Sequence, residues 1–334
     1  MKKLISVLLT LAMMLALCSL AGCGDKEKSS DKEKKEKKEE TPSVCYVENA
    51  LLAKETYFDN KGKELFSYEY TYDANGNVVR AYAYDENGDE DWTSCKDLTY
   101  DDKGNLIDKR YYDESGNVSG GTTYEYSYDA DGKVTSKRTL DPDGTVADEA
   151  FYTYDADGKL KSVRGEDTET LYDANGNEIA NRVKDYNADG TESWRTDKET
   201  SYDANGNVLT WKWYEDGEVI TLEELTYDEH GNCVSNRHYA GDDLELNWEY
   251  KWKYTYDKNG NATSCRTYED DYMEHGAKGL LGEAWDATYD ENGNVLTVTM
   301  YDESGNKAGK FEYAYLDQSG SKKLSVEDVM MFNV

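Results

Sequence analysis

The sequence has few basic residues, few aliphatic residues and no apolar run long enough to cross a membrane as a helix. Lys and Arg total 38 against 70 Asp and Glu. Nucleic acid is therefore not an expected partner, because its binding needs basic patches that release counterions. Anionic lipid surfaces would also repel the chain, whereas cations, cationic polymers and neutral sugars remain compatible. Because aliphatic side chains are scarce, the 30 tyrosines are the only abundant core material.

Recognisable catalytic and metal-binding motifs are also missing. The chain has no HExxH, no nucleophile elbow, no CxxC and no Cys/His metal spacing. We therefore expect no enzyme activity, no cofactor and no metal. Of the three histidines, His230 falls in a turn, His238 on a strand and His275 beside Glu274 in an irregular insertion, residues 269–287. A loop insertion is the preferred interpretation of that segment, and an enzyme that uses it is the alternative.

The N-terminus carries a targeting signal. Lys2 and Lys3 precede a 14-residue apolar run, Leu4 to Leu17, which is short for a span of about 20 residues. Leu20-Ala21-Gly22-Cys23 follows and resembles the bacterial lipobox. That resemblance implies a signal peptide over residues 1–22, a lipidated Cys23 and anchoring to the extracytoplasmic side of the cell membrane. The alternative is an ordinary secretory signal in which Cys23 is incidental.

Residues 23–40 are interpreted as the lipidated cysteine and a flexible tether. Positions 24–40 hold seven lysines, seven acidic residues and no aromatic or aliphatic side chain, so they cannot bury enough surface to fold. Without this balanced segment and Lys2 and Lys3, the remaining domain has 29 basic and 63 acidic residues, a net charge of −34.

The dominant signal is an internal repeat. The phrase Tyr-Asp-x-x-Gly recurs, mostly at steps of 25 to 30 residues, with a second, looser set of turns between its copies. Each unit therefore contains two turns and two strands, which predicts about twenty strands. The turn aspartates of the nine copies are Asp73, Asp101, Asp129, Asp155, Asp173, Asp203, Asp228, Asp257 and Asp290.

The residues of the Tyr-Asp-x-x-Gly motif are typical of a bulged hairpin loop. Asp at the first position accepts backbone N–H groups, and Gly at the fourth adopts the left-handed conformation. A calcium loop is the alternative, but an EF-hand loop needs acids at its first, third and fifth positions and Gly at its sixth. Structural turns are therefore preferred.

These units resemble the YD repeats of the RHS family. The resemblance implies an all-β array over residues 58–320, in which antiparallel hairpins form a long curved, spiral or solenoid-like sheet. It also implies a carbohydrate-binding or surface-contact role. The chain departs from the large toxin-delivering members in being far shorter and in showing no separate toxin-like domain after the array. The ends, residues 41–57 and 321–334, are richer in aliphatic residues and are expected to cap the array.

The unit predicts columns of side chains. With the turn Asp as position zero, a three-residue loop places −1 opposite +5, −3 opposite +7 and −5 opposite +9, all on one side of the sheet. Position −1 is Tyr in every unit and position +7 is usually small. Position +9 is basic in seven successive units: Arg110, Arg138, Arg164, Arg182, Lys212, Arg237 and Arg266.

Two interpretations of the basic column follow. In the structural one, which is preferred, the arginines line the inside of a coil between Tyr rings and acidic neighbours. In the functional one, the column is a groove for a polyanion or sugar, with aromatic rings such as Tyr124 and Trp252 opposite it. The candidate binding residues are Trp211, Trp213, Trp252, Arg110, Arg138, Arg237 and Arg266.

Three functions are compatible with this sequence. The first is a surface-anchored binding or adhesion lipoprotein whose ligands are glycans or cell-wall polymers. The second is a structural or protein–protein assembly component of the envelope, its protein partner unknown, and the third is the enzyme already mentioned. The cysteines do not distinguish them: Cys45, Cys95, Cys233 and Cys265 could stay free or form two bridges in three ways.

Overall fold

The computed structural model describes residues 51–317 except residues 188, 242 and 272–279. Within them, one 3₁₀ turn, Trp92–Ser94, accompanies twenty antiparallel strands. The strands are β1 Leu51–Asp59, β2 Glu64–Tyr72, β3 Val78–Tyr84, β4 Lys96–Tyr100, β5 Leu106–Tyr112, β6 Val118–Tyr128, β7 Val134–Leu140, β8 Val146–Tyr154, β9 Leu160–Arg164, β10 Thr168–Tyr172, β11 Glu178–Tyr186, β12 Glu192–Tyr202, β13 Val208–Glu215, β14 Glu218–Tyr227, β15 Cys233–Ala240, β16 Glu245–Tyr256, β17 Ala262–Asp271, β18 Leu280–Tyr289, β19 Val295–Tyr301 and β20 Lys307–Asp317. The all-β fold of about twenty hairpin strands is confirmed.

Several predictions concern residues outside the described ranges. The signal peptide, Cys23, the tether, Cys45, His275 and the cap at 321–334 all lie there. The described part of the other cap, residues 51–57, belongs to β1. Cys95, Cys233 and Cys265 are buried, and Cys95 is a free thiol. None of the described helical segments is long and apolar enough to span a membrane.

The repeated turns have the geometry that their sequence predicts. In the first, the Asp73 amide donates to the Asn77 carbonyl (2.9 Å) and the Gly76 amide to the Asp73 carbonyl (3.2 Å). Asp73 Oδ1 accepts the amides of Asn75 and Asn77, at 2.8 and 2.9 Å. Gly76 has φ +83°, the left-handed region that glycine adopts without strain. These aspartate oxygens are therefore engaged in holding the loop.

A β-bulge beside each of these turns changes the predicted register. Tyr72 lies opposite Val78, as expected, but the next pair is Thr71 with Arg80. The same shift follows the Tyr of the other eight units. Beyond the bulge, position −3 therefore faces +8 and position −4 faces +9. Because side chains alternate along a strand, the prediction that Tyr and Arg columns share one face is wrong.

The sheet is closed, so the expectation of an open curved, spiral or solenoid-like sheet is also wrong. Each strand pairs with its neighbours in sequence, and β1 pairs with β20 through eight residue pairs. At this junction the Tyr57 and Phe311 rings lie 4.7 Å apart, and both are buried. The result is an up-and-down barrel. Closure removes the two free edges that a long open sheet would expose to pairing with other chains.

The two faces of this sheet have different compositions. The face that carries positions −1, −3 and +8, here named the aromatic face, is the less exposed. Along β16, for example, Trp252, Tyr254 and Tyr256 are half-buried while Lys253 and Thr255 are exposed. Buried residues of β1, β2 and β17 to β20 form the main hydrophobic core on this face. In a closed sheet, the shielded face is the inner one.

Tyrosine hydroxyls on the aromatic face connect successive units. Tyr154 donates to the carbonyl of Val134 (2.7 Å), and Tyr202 does the same to Glu178 (2.7 Å). Each acceptor is the +5 residue of the preceding unit, at the bulge. Tyr128 instead donates to Asp101, the turn aspartate of the preceding unit. The hydroxyl thus explains why position −1 is Tyr rather than Phe, since a carbonyl left outside the ladder needs a donor.

Tyr154→Phe is predicted to lower the free energy of unfolding by about 1 kcal/mol, because the Val134 carbonyl loses its donor. Urea unfolding measures the change. Tyr124→Phe is the matched control, because the Tyr124 ring carries the Lys137 ammonium at 4.2 Å and makes no inter-unit bond of this kind. An equal loss in both variants would contradict the role of the hydroxyl.

Candidate binding site on the charged face

The structure separates the predicted binding residues into two groups. Trp211, Trp213 and Trp252 lie on the aromatic face, where Trp211 is only 4% exposed and packs in a small core with Val208 and Leu225. The arginines lie on the opposite face, named here the charged face, which carries positions −4, +7 and +9. A single groove that combines the tryptophans with the arginines is therefore not formed.

The arginines of the basic column at +9 make ion pairs with carboxylates, and two of them also lie over aromatic rings, Arg164 at 5.0 Å from the Trp194 centroid and Arg266 at 5.3 Å from that of Tyr301. Arg138 lies opposite Glu125 and bonds Glu149 across the next strand (2.8 Å). Arg266 bonds Asp286 (2.7 Å). The rings expected opposite the column pair one residue further on: Tyr124 with Thr139 and Trp252 with Thr267. Exposed pairs of this kind contribute about 0–1 kcal/mol each, so they neutralise the face more than they stabilise it.

Glu249 is the most buried carboxylate of the column's ion pairs. Arg237 donates to it at 3.0 Å, Lys251 approaches at 2.8 Å and the Ser235 hydroxyl donates at 3.1 Å. Burial raises the pKa of Glu249, but these three hydrogen bonds outweigh it and hold the pKa below its usual value. Arg237 is therefore committed to Glu249.

The charged face opens into a cleft between β3 and β4. These strands share only two residue pairs, whereas β2–β3 share six and β4–β5 share five. The connection between them is long because the 3₁₀ turn Trp92–Ser94 interrupts it, and the Trp92 ring packs 5.5 Å from that of Tyr112. The strands diverge around a cavity of about 380 Å³. Its lining residues are Thr71, Val79, Arg80, Tyr82, Asp97, Leu98, Thr99 and Arg110.

A hydrogen-bonded network forms the floor of the cleft. Arg80 makes a two-point ion pair with Asp97, which also accepts the Tyr112 hydroxyl. The remaining terminal nitrogen of Arg80 donates to the Tyr82 hydroxyl at 2.7 Å. Each of the three guanidinium nitrogens of Arg80 thus makes one hydrogen bond, and together they hold Asp97 and Tyr82 in place. Bidentate Arg–carboxylate pairs fix orientation more strongly than single contacts do.

Arg110 at the side of the cleft is held differently. Only its Nε atom is bonded, to Asp108 at 2.8 Å, and its side chain is 56% exposed. Within the described residues, neither terminal nitrogen of Arg110 has a hydrogen-bond partner. Arg110 therefore presents two donors to a ligand in the cleft.

Of the predicted site residues, Arg110 alone lines this cleft. Arg80, Tyr82 and Asp97 were not predicted, although one signal was present: Arg80 occupies position +7, where most other units carry a small residue. The irregular 85–95 connection was a second signal. A second cluster of residues, around His238, was also not predicted from the sequence. The His238 ring lies 3.3 Å from Glu223 and stacks on Trp248, with 4.6 Å between the ring centroids.

Comparison with known proteins gives distant matches only. No protein-family model matches the chain, and no curated protein does. The Tc holotoxin pore of Photorhabdus luminescens is 14% identical over 82% of this chain and 18% of its own, with a TM-score of 0.29. The TcdB2–TccC3–TEV crystal structure is 15% identical over 78% of this chain and 16% of its own, with a TM-score of 0.27. This chain therefore spans less than a fifth of the toxin chains that it matches.

A porin-like protein from Bacteroides vulgatus is 11% identical over 80% of this chain and 98% of its own, with a TM-score of 0.28. Likeness at this level assigns neither a family nor a function to the chain.

Asp97→Asn is predicted to destabilise the protein by about 1–3 kcal/mol at pH 7. Hydrogen bonds from Arg80 lower the pKa of Asp97 and outweigh the opposing effect of burial. A lowered pKa means that the ionised group stabilises the fold above the usual carboxyl pKa and loses this effect as the pH falls below it. The difference in urea midpoint between the wild type and the variant should therefore shrink from pH 7 to pH 3. A constant difference would contradict the charge pairing, and the exposed Asp102→Asn is the control.

Proposed function

We propose that the protein is a lipid-anchored binding module of the cell envelope, held through Cys23, that takes glycans or cell-wall polymers in the β3–β4 cleft. The observation that carries this proposal is the cleft itself. There a cavity of about 380 Å³ meets guanidinium, phenol and hydroxyl groups together. Such a volume falls in the range of small-ligand sites.

The chemistry of the lining suits a polyhydroxylated ligand. Thr71 and Thr99 are exposed and offer hydroxyls that both donate and accept hydrogen bonds. Tyr82 adds an aromatic ring whose hydroxyl already accepts from Arg80. Because the network under the cleft is complete before any ligand arrives, binding requires little ordering of side chains.

The cleft moves the proposed ligand site away from the tryptophans. Trp211 is buried, and Trp213 and Trp252 pack against the same core, so they support the fold. The alternative role in envelope assembly was expected to leave a strand edge free. The pairing of β1 with β20 removes the terminal edges that this role would use.

Tyr82→Ala is predicted to abolish oligosaccharide binding on an array of neutral and acidic microbial and plant glycans, because the cleft loses its ring. Tyr186→Ala is the control, since Tyr186 is exposed on the charged face but remote from the cleft. Circular dichroism checks that both variants fold. An array without any binding, or binding unchanged by Tyr82→Ala, would contradict the proposal.

Cys23→Ser is predicted to abolish lipid attachment and release the protein from the membrane fraction, because a thioether needs the thiol. Metabolic labelling with a radioactive fatty acid and fractionation measure both effects. Cys45→Ser is the matched control and should retain label. Label that persists in Cys23→Ser would contradict the anchor.

A further inference from the structure

We infer that the β3–β4 cleft selects acidic glycans, and that Arg110 binds the anionic group of a sugar unit. This inference rests on the proposed glycan-binding function and goes beyond it by naming the ligand's charge. The class of ligand is a polyhydroxylated chain that carries a carboxylate or a phosphate.

The charge of the lining supports an anion. The cleft residues include two guanidiniums, Arg80 and Arg110, and one carboxylate, Asp97. Arg80 and Tyr112 already occupy both oxygens of Asp97. Arg80 therefore compensates the charge of Asp97, and the remaining guanidinium is that of Arg110, which Asp108 contacts only at Nε.

The free donors of Arg110 give the anion a defined position. Asp108 binds Nε from the same strand, which leaves the two terminal nitrogens directed away from that contact. A guanidinium edge with two donors matches a carboxylate or phosphate in a two-point contact. Arg138 is bonded in the same way, through Nε alone to Glu149, but it does not line the cleft. Arg237 instead shares the buried Glu249, and two nitrogens of Arg266 are bonded to Trp285 and Asp286.

The negative charge of the whole domain does not prevent this binding. At physiological ionic strength the screening length is about 8 Å, so distant carboxylates contribute little at the cleft. Groups within the cleft therefore decide recognition, and among them the terminal nitrogens of Arg110 are the cationic donors that Asp108 does not engage.

The test compares three probes of matched length: oligogalacturonate, its fully methyl-esterified form and a glycerol-phosphate oligomer. Calorimetry on the intact, folded protein measures each affinity. Either oligogalacturonate or the phosphate oligomer should bind at least tenfold more tightly than the methyl ester. If oligogalacturonate is the tighter ligand, the recognised group is a carboxylate; if the phosphate oligomer is, it is a phosphate. Arg110→Gln should weaken that binding about tenfold or more, because a hydrogen-bonded charge pair is lost.

Arg138→Gln is the matched control. It occupies the same +9 position on the same face but bonds Glu149 outside the cleft, so it should leave affinity unchanged. Equal affinity for the methyl ester and for the acid would overturn the inferred selectivity for acidic glycans. The proposed glycan-binding function would still stand if Tyr82→Ala abolished the binding of both probes. Binding that neither Arg110→Gln nor Tyr82→Ala affects would overturn both.

Discussion

The β-bulge beside each repeated turn is the constraint on which the rest of the structure depends. The turn aspartate fixes a three-residue loop, and the bulge then moves the partner strand by one residue. A shift of one residue exchanges the faces of a strand. Tyrosines at −1 and −3 therefore share a face with position +8, while the basic residues at +9 share the other face with position −4, which is acidic in most units.

This separation gives the two faces different tasks. The aromatic face supplies the core in a chain with few aliphatic residues, and its tyrosine hydroxyls link one unit to the next. The charged face pairs its arginines with carboxylates and stays solvated. The cleft that we propose as the binding site lies where the repeat is interrupted, because there β3 and β4 diverge and Arg110 keeps terminal nitrogens that no described residue bonds.

The sequence was sufficient for the parts of the fold that local chemistry decides. Asp73 and Gly76 encode their loop whatever surrounds them, so the turns and the number of strands could be predicted. The bulge could not be predicted, because it arises from the backbone pairing of the two strands and no distinctive residue marks it beyond Tyr72 and Val78. Closure was equally hidden, since a hairpin array has the same pattern whether or not β1 meets β20. Of the candidate site, Arg110 was identified from its column, whereas Arg80 and Asp97 meet only through the irregular β3–β4 pairing.

The register of the −4 and +9 columns tests the bulge most directly. Paired cysteine substitutions at Glu125 and Arg138, direct partners across β6 and β7, should form a disulfide on mild oxidation, because facing residues lie about 4.5–5.5 Å apart at Cα. Substitutions at Tyr124 and Arg138 should not, because those side chains lie on opposite faces. Non-reducing peptide mapping distinguishes the two variants. A bridge between positions 124 and 138, with none between 125 and 138, would contradict the bulged register and the separation of the faces.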